Sequence, residues 1–497
     1  MPIYKVAVLG SGVMGSTIAA HLANAGIPSL LLDIVPNSLL PEEEAAGLTL
    51  ESPKVRNRIA ATNKQKLLKM NPAPLFVPEF ADRIEVGNFE DDLPRLKEVD
   101  WVIEVVVERL DIKKDLLKKV AQNVRPGTLV TSNTSGISLK AMAEDLPEEF
   151  TKYFFGTHFF NPPRYMKLFE LIPGPNTDPD VLKEMEVFAE RVLGKGVVYA
   201  KDTPNFIANR IGVFGLCATI KEMLNSGLTV DEVDALTGPI MGRPKSASFR
   251  TVDMVGLDTF VHVANNVGDN VPEEKDFFVM PEFIHTMIKN GWLGDKTGQG
   301  FYKKVKSADG GKEILVLDPN TMEYVPKKKV KFASLDAAKN AGGLKDKIKT
   351  LVKGKDAGAQ FAWNVLKQVL LYAARLAPEI ADDITAVDAG MRLGFNWEMG
   401  PFETWDALGV KATAERIVAE GGTLPPIVEK LLAEGKDSFY QKTEAGDTLY
   451  YADGEYKAKV ESPYVFSLKK AHKQGKKIFG NSGASLIDMG DGVACLE

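Results

Sequence analysis

Between residues 156 and 170 the chain reads Gly156-Thr-His158-Phe-Phe-Asn161-Pro-Pro-Arg164-Tyr-Met-Lys-Leu-Phe-Glu170, two strand-like runs joined by a proline loop. Such a loop could bring Glu170 back beside His158. Histidine titrates near neutrality, so an imidazole suits removal of a hydroxyl proton while hydride leaves the same carbon, and a buried carboxylate beside it fixes the tautomer and stabilises the imidazolium. A core histidine with a solvent-exposed glutamate fits the same spacing, and spacing alone does not separate the two. Upstream, Thr131-Ser-Asn-Thr-Ser135-Gly136 follows a strand-like run, and ligands of open parallel sheets bind at the carboxyl ends of strands.

A second constellation opens the chain. Tyr4-Lys-Val-Ala-Val-Leu-Gly10-Ser-Gly12-Val-Met-Gly15 is a strand, a glycine turn and a helix start, and Asp33 ends the next apolar run, Ser29-Leu-Leu-Leu-Asp33. Gly10 would make the tight turn, Gly12 would admit a pyrophosphate to the backbone, and Gly15 would let helix and strand approach. The helix amino end then faces the phosphates, with Val13 and Met14 expected among the cofactor contacts. Asp33 stands where it could accept hydrogen bonds from an adenosine ribose, and its charge would repel a 2'-phosphate, which favours NAD over NADP. A phosphate-free turn is the plainer reading of the glycines alone.

These groups need a frame. At 497 residues and 44% hydrophobic composition the chain can bury more than one core, and length suggests roughly three domains. Short Val, Ile and Leu runs alternate with helical stretches over the first two hundred residues, so the fold class is α/β, an N-terminal Rossmann-like doubly wound sheet over 1–200 followed by two all-helical repeats. One buried strand is expected from Val99 to Val107 and another from Gly127 to Asn133. The helical units are expected at 201–305 and 346–480, with a connector holding a small hairpin at 306–345 and a separate hairpin at 481–497. Internal similarity supports the duplication: Val233-Asp-Ala-Leu then Val252-Asp-Met-Val-Gly256 is matched by Val387-Asp-Ala-Gly then Trp405-Asp-Ala-Leu-Gly409, with a one-residue difference between them.

Several classes are excluded or disfavoured. No apolar run reaches the ~18 residues of a bilayer span, and the first strand begins at Tyr4, so a cytoplasmic protein is expected. Cys217 and Cys495 have no partners at metal or disulfide spacing, so no metal is expected. A net charge of -6 argues against nucleic acid as a partner. A basic helix carrying Arg56, Arg58, Lys64, Lys66 and Lys69 is either a solvated face or a contact for an anionic ligand tail.

The His158–Glu170 segment, with Ser132-Asn-Thr-Ser135 before it, Lys201-Asp-Thr-Pro-Asn-Phe-Ile-Ala-Asn209-Arg210 after it and Gly294-Asp-Lys296-Thr-Gly-Gln-Gly-Phe-Tyr302 beyond, resembles the L-3-hydroxyacyl-CoA dehydrogenase family. Residues 346 to about 430 are similar to the second helical repeat of multifunctional fatty-acid β-oxidation enzymes. The resemblance implies NAD-dependent oxidation of an L-3-hydroxyacyl-CoA to the 3-ketoacyl-CoA. It implies His158 as general base, Glu170 as its electrostatic partner, Ser135 and Asn209 as donors to the reacting oxygen or thioester carbonyl, and Asn161 as a positioning group for substrate and nicotinamide. It also implies that Glu108, Lys113, Ser135 and Lys296 contact the cofactor, in a cleft between two domains. Lys64 and Lys66 are the cations expected to meet the CoA phosphates.

The chain departs from the family pattern at Ser135-Gly136, where Ser-Ser is usual, and at Pro162-Pro-Arg164, which adds a charge near the active loop. Its first helical unit reads Met241-Gly-Arg-Pro-Lys-Ser-Ala-Ser-Phe249 where the second reads Glu398-Met-Gly-Pro-Phe-Glu403. The resemblance further implies that the second unit covers the first in cis, replacing a dimer interface, and leaves room for a homo-oligomer and for a thiolase or other β-oxidation partner. Residues 484–497, with their Gly490-Asp-Gly492 turn, look like the first hairpin of a crotonase-fold hydratase domain, so a longer bifunctional protein is expected. Two other readings share the dyad: a dehydrogenase of a small free hydroxy acid, and a catalytically vestigial assembly module.

Overall fold

The computed structural model describes residues 2–306, 311–444 and 446–497. Eight apolar strands, β1 (Val6–Leu9), β2 (Ser29–Asp33), β3 (Ile84–Asn88), β4 (Trp101–Glu104), β5 (Leu129–Ser132), β6 (Phe154–Phe159), β7 (Leu168–Pro173) and β8 (Gly196–Tyr199), form one sheet. Their order is β3-β2-β1-β4-β5-β6-β7-β8. The first six run parallel, the Rossmann-like doubly wound arrangement that the alternating pattern predicts. β7 turns back antiparallel on β6 and β8 follows β7. The loop 160–167 is too short for the crossover of about a dozen residues that a parallel pair needs, so a hairpin is the only return it permits.

β4 is shorter than the apolar run around it. It stops at Glu104, whose carboxylate is tied to Lys113 and the Ser132 hydroxyl instead of continuing the ladder. Alternation of side chains gives the sheet two cores. Val6, Val8, Ile103, Phe155 and Phe169 face one, whereas Ala7, Leu9, Val102, Phe154, Leu168 and Ile172 face another that is continuous with the helical units. His158 and Glu170 share the parity of Phe154 and Leu168, so the pleat turns both toward the helical side.

Each helical unit has the same order of parts. The first contains helices Ala208–Ser226, Val230–Thr237, Phe249–Val255, Leu257–Asn270 and Glu282–Lys289, then a three-stranded antiparallel sheet beginning at Tyr302–Lys306. The second contains Ala357–Ile380, Ile384–Gly394, Pro401–Leu408, Val410–Ala419 and Pro426–Ala433, then a three-stranded sheet beginning at Tyr440–Lys442. Helices were expected throughout; the small sheets begin at the Tyr of a Phe-Tyr pair in both units, and in the first unit the sheet takes the place of the expected hairpin. Residues 477–497 form a further three-stranded sheet, adding Lys477–Gly480 to the predicted hairpin.

The two long helices pack on one another. Phe214 and Tyr372 stack with ring centroids 3.7 Å apart and planes 3° apart. The second unit therefore lies on the first in cis. Among the described residues no helix is long and apolar enough to cross a membrane, and no group of three His, Cys, Asp or Glu side chains could hold a metal ion.

Candidate active site

The glycine turn has the geometry its sequence requires. Gly10 has φ +105°, and a Cβ there would lie 2.6 Å from the Val105 carbonyl oxygen. A Cβ on Gly15 would lie 1.8 Å from the Gly10 carbonyl, so that position must be glycine for helix and turn to touch. A Cβ on Gly12 would meet nothing within 4 Å, so Gly12 faces open space. Helix Val13–Asn24 begins there without a side-chain cap, which leaves its first N–H groups pointing outward. Asp33 accepts hydrogen bonds from the Ser11 N–H (2.6 Å) and hydroxyl (2.5 Å) through one oxygen and from the Ile34 N–H (2.7 Å) through the other. Val13, Ile34 and Val107 are 61%, 59% and 60% exposed, an apolar surface left uncovered around the cradle. Uncapped amides, a carboxylate at the strand end and bare apolar walls fit a dinucleotide.

The dyad is a consequence of strand register. His158 and Glu170 are direct partners in the antiparallel β6–β7 ladder, and His158 Nδ1 lies 2.6 Å from Glu170 Oε2. His158 is 5% exposed and Glu170 0%, so the buried pair is formed and the exposed-glutamate reading does not hold. Oε1 of Glu170 accepts from the N–H groups of Ile207 (3.2 Å) and Ala208 (2.9 Å), at the start of the long helix of the first helical unit. A helix amino terminus favours an anion, so this end stabilises the carboxylate that grips the imidazole. Asn205 and Phe206 immediately before it have φ of 59° and 50°, a left-handed pair that is costly for a bulky residue and aims the helix at the dyad. The rings of Phe160 and Phe206 enclose His158 at 4.8 and 5.5 Å. With Nδ1 engaged, Nε2 is the nitrogen left to meet a substrate hydroxyl.

The loop carrying Ser135 is gripped at both ends. Glu108 Oε1 accepts from the Thr134 hydroxyl (2.5 Å) and from the N–H groups of Ser135 (3.1 Å) and Gly136 (3.0 Å). Burial pulls Glu108 up, but the Lys113 ammonium, the Thr134 hydroxyl and the Gly136 N–H outweigh it and hold its pKa below the usual carboxylate value. Asp202 accepts from the Ser138 hydroxyl and the Leu139 and Lys140 N–H groups. Asn133, at the root of the same loop, accepts from the Phe159 N–H at 2.9 Å and so ties it to the strand of His158.

Other predicted residues are placed as follows. Asn209 is half-buried in the first turn of the helix whose N–H groups hold Glu170, and Asn161 is exposed at the start of the proline loop. Lys113 is buried between Glu104 (2.8 Å) and Glu108 (3.2 Å), so it acts on the loop through Glu108. Lys296 pairs with Asp258 at 2.5 Å; among the described residues no hydrogen bond joins it to the sheet domain. Lys64 donates to the Ile84 carbonyl (2.8 Å), and Lys66 donates to Asn63, which reaches Ser11 and through it Asp33.

The two departures have local causes. A Cβ on Gly136 would lie 2.3 Å from Asn266 Oδ1, so the second position of the pair is filled from the helical side. Arg164 donates to the carbonyls of Ala73 and Leu75 (2.7 Å each), which fixes the proline loop to the segment after the basic helix. Sequence reasoning missed Glu104, Asp202, Asn266 and the Ile207 and Ala208 amides. Asp202 had a signal, its place in the Lys201-Asp-Thr-Pro turn; Asn266 had none.

A dinucleotide cradle at the strand ends and a histidine–carboxylate dyad further along the same sheet define a class, the dinucleotide-dependent dehydrogenases with a helical partner domain. The family model described as 3-hydroxyacyl-CoA dehydrogenase, NAD binding domain, matches residues 5–203, and the corresponding C-terminal domain matches residues 206–304. A probable 3-hydroxyacyl-CoA dehydrogenase of Deinococcus radiodurans is 49% identical over 62% of this chain and 84% of its own length. One of the same description from Bacillus subtilis is 53% identical over 100% of this chain, which spans 62% of that relative's length. The 3-hydroxybutyryl-CoA dehydrogenase structure of Escherichia coli covers 88% of the chain and 100% of its own with a TM-score of 0.60; at 22% identity this likeness carries the fold. The chain belongs to the 3-hydroxyacyl-CoA dehydrogenase family.

Proposed function

We propose that the chain oxidises L-3-hydroxyacyl-CoA to 3-ketoacyl-CoA in fatty-acid β-oxidation, with His158 as general base. The observation that carries this reading is the buried dyad, with one Glu170 oxygen on His158 and the other on two amides of the helical unit. NAD, held by Gly10, Gly12, Val13, Met14, Gly15 and Asp33, would supply the hydride acceptor. His158 Nε2 takes the proton of the 3-hydroxyl, and Glu170 stabilises the imidazolium that results without itself moving. Ser135 and Asn209 donate to the oxygen as it becomes a carbonyl, or to the thioester carbonyl, and Asn161 places the reacting carbon. Phe160 and Phe206 keep water from the imidazole. Because Glu170 bridges sheet and helix, the same carboxylate that orients the base through one oxygen also ties the helical unit through the other, and fixed orientation is a large part of such catalysis.

The CoA phosphates are assigned to the helix carrying Lys64 and Lys66, and a thiolase or another β-oxidation enzyme is the partner that would consume the product. NADH absorbance during turnover of acetoacetyl-CoA, beside free acetoacetate, tests the reading. Activity confined to the thioester and lowered about a thousandfold in His158→Ala is expected. Activity on the free acid would make the chain a small-acid dehydrogenase, and none on either would make it an assembly module. Lys64→Ala with Lys66→Ala should raise KM for acyl-CoA with KM for NAD unchanged. A rise in KM for NAD alone would assign Lys66 to the ribose instead, in keeping with its link to Asp33.

A further inference from the structure

Two arginines are buried among the described residues, Arg210 and Arg243. Arg210 is compensated, with Glu274 2.9 Å from Nη2 and the Tyr372 hydroxyl 2.7 Å from Nε. Arg243 is 8% exposed, and among the described residues no hydrogen bond or ion pair reaches its guanidinium; Nη2 is a fully buried donor with no partner. Burial pushes its pKa down to about 10, with no carboxylate to hold it up. A cation removed from water with nothing opposite it is destabilising until an anion arrives.

Arg243 lies in the seam between the two helical units. Its neighbour Gly242, at φ +70°, accepts a hydrogen bond of 2.7 Å from the Glu398 N–H, and the guanidinium lies over the Trp397 ring, 4.5 Å from its centroid. One residue before that ring, Asn396 Nδ2 reaches Met166 Sδ at 3.8 Å, in the loop between His158 and Glu170. Residues 396–398 of the second unit therefore touch both the turn of Arg243 and the loop between the two strands of the dyad. The turn that carries Arg243 is where the two repeats differ in sequence, and it holds Ala247 at φ 50°, a strained conformation for a residue with a Cβ. Glu398 is exposed and makes no ion pair with Arg243.

We propose that Arg243, backed by Trp397, anchors a carboxylate-binding site in the seam between the helical units. One guanidinium offers two parallel N–H groups, the match for a planar carboxylate. Trp397 and the buried Met241 make the surroundings apolar, which suits an aliphatic acid. The carboxylate is either the far end of an acyl chain whose thioester lies at His158 or a separate free acid. The first source rests on the dehydrogenase reading; the site itself does not.

Quenching of tryptophan emission in the full chain by hexanoate, with methyl hexanoate as the neutral comparison, tests the site. Saturable quenching by hexanoate alone, lost in Arg243→Met and weakened at least tenfold in Arg243→Lys, is expected, with melting temperatures reporting that the variants fold. Equal quenching by the ester, or none by hexanoate in the wild type, would overturn the proposal whatever the variants do. A tenfold tighter response in Glu398→Gln would also overturn it, because Glu398 would then be the resident counter-ion. Kinetics with a six-carbon 3-hydroxyacyl-CoA, with and without a terminal carboxylate, identifies the source. A KM at least tenfold lower for the carboxylate form, lost in Arg243→Met, assigns the acyl end; equal KM values beside intact hexanoate quenching assign a free acid. Quenching in a chain without dehydrogenase activity would leave the site standing and sink only the catalytic reading.

Discussion

In the first helical unit Asp234 collects the N–H groups of Ser248, Phe249 and Arg250 and the Tyr302 hydroxyl, while Asp253 collects those of Phe301 and Tyr302. In the second, Asp388 collects the N–H groups of Phe402 and Glu403 and the Tyr440 hydroxyl, while Asp406 collects those of Phe439 and Tyr440. Gly256 and Gly409 turn the chain at φ +101° and +93° in the same place. The frame is duplicated and its use is not. The first unit turns the start of its long helix onto Glu170; the second presses helix Ile384–Gly394 behind that start, with Gly390 on Ile207 and Gly394 on Ala208, Leu168 and Phe160. One copy touches the dyad and the other holds the copy that does.

If that division is right, a bulky residue at Gly394 should injure catalysis from outside the site. A Cβ there already meets Leu168 Cδ2 at 2.6 Å and Phe160 Cε1 at 3.3 Å. Gly394→Leu is expected to lower kcat about a hundredfold through a displaced dyad, and to cost roughly 1–3 kcal/mol of stability, with KM for NAD unchanged because the cradle lies elsewhere. An unaltered kcat would reduce the second unit to a passive cover. A smaller effect separates the two frames: Tyr440→Phe leaves buried Asp388 with two donors, whereas Tyr302→Phe leaves Asp234 with three. The former should cost roughly 2–3 kcal/mol and the latter about 1 kcal/mol in urea unfolding.

The same carboxylates make the units respond differently to pH. Burial lifts Asp234, Asp253 and Asp406 to about 6, and Asp388 is raised by burial first and by the Glu403 charge second. A carboxyl with a raised folded pKa contributes stability that is full below its unfolded value and is lost as pH rises through the folded one. The first unit should therefore lose its share between about pH 4 and 6. The second should go on losing above that range because of Glu403, at about 1.4 kcal/mol per pH unit where the group titrates. Urea midpoints from pH 4 to 8 check this: Asp388→Asn should flatten the upper part of the curve and Asp234→Asn only the lower.

The cradle was legible because its glycines act locally; turn, open face and close approach all lie within residues 10–15. The dyad was legible as a hairpin, since strand parity puts residues 158 and 170 opposite one another on one face once the loop is short. The second grip on Glu170 was not, although a helix start near Phe206 was. Which side chain an amide meets across 37 residues of chain is set by tertiary packing, not by any local pattern. The small sheets escaped for a related reason: Tyr302 and Tyr440 begin short polar strands that buried aspartates hold in place, with little periodicity to announce them.

Lys296 gives the finest test of the comparison, because the first unit keeps Gly294-Asp-Lys296-Thr-Gly-Gln-Gly ahead of its Phe301-Tyr pair and the second has only Gly435-Lys-Asp-Ser ahead of Phe439-Tyr. Lys296 sits near Gly256, the turn common to both units, and pairs with Asp258 at a half-exposed position. An exposed pair of this kind contributes under ~1 kcal/mol, so stability does not explain its presence in one unit only. Lys296→Ala should leave the urea midpoint nearly unchanged and raise KM for NAD several-fold if the lysine leaves Asp258 for the cofactor when the cleft is filled. Asp258→Ala, which frees the lysine in advance, should lower that KM. Unchanged KM in both variants would confine Lys296 to the helical unit and leave Glu170 and Asp202 as the carboxylates through which the two domains meet at the site.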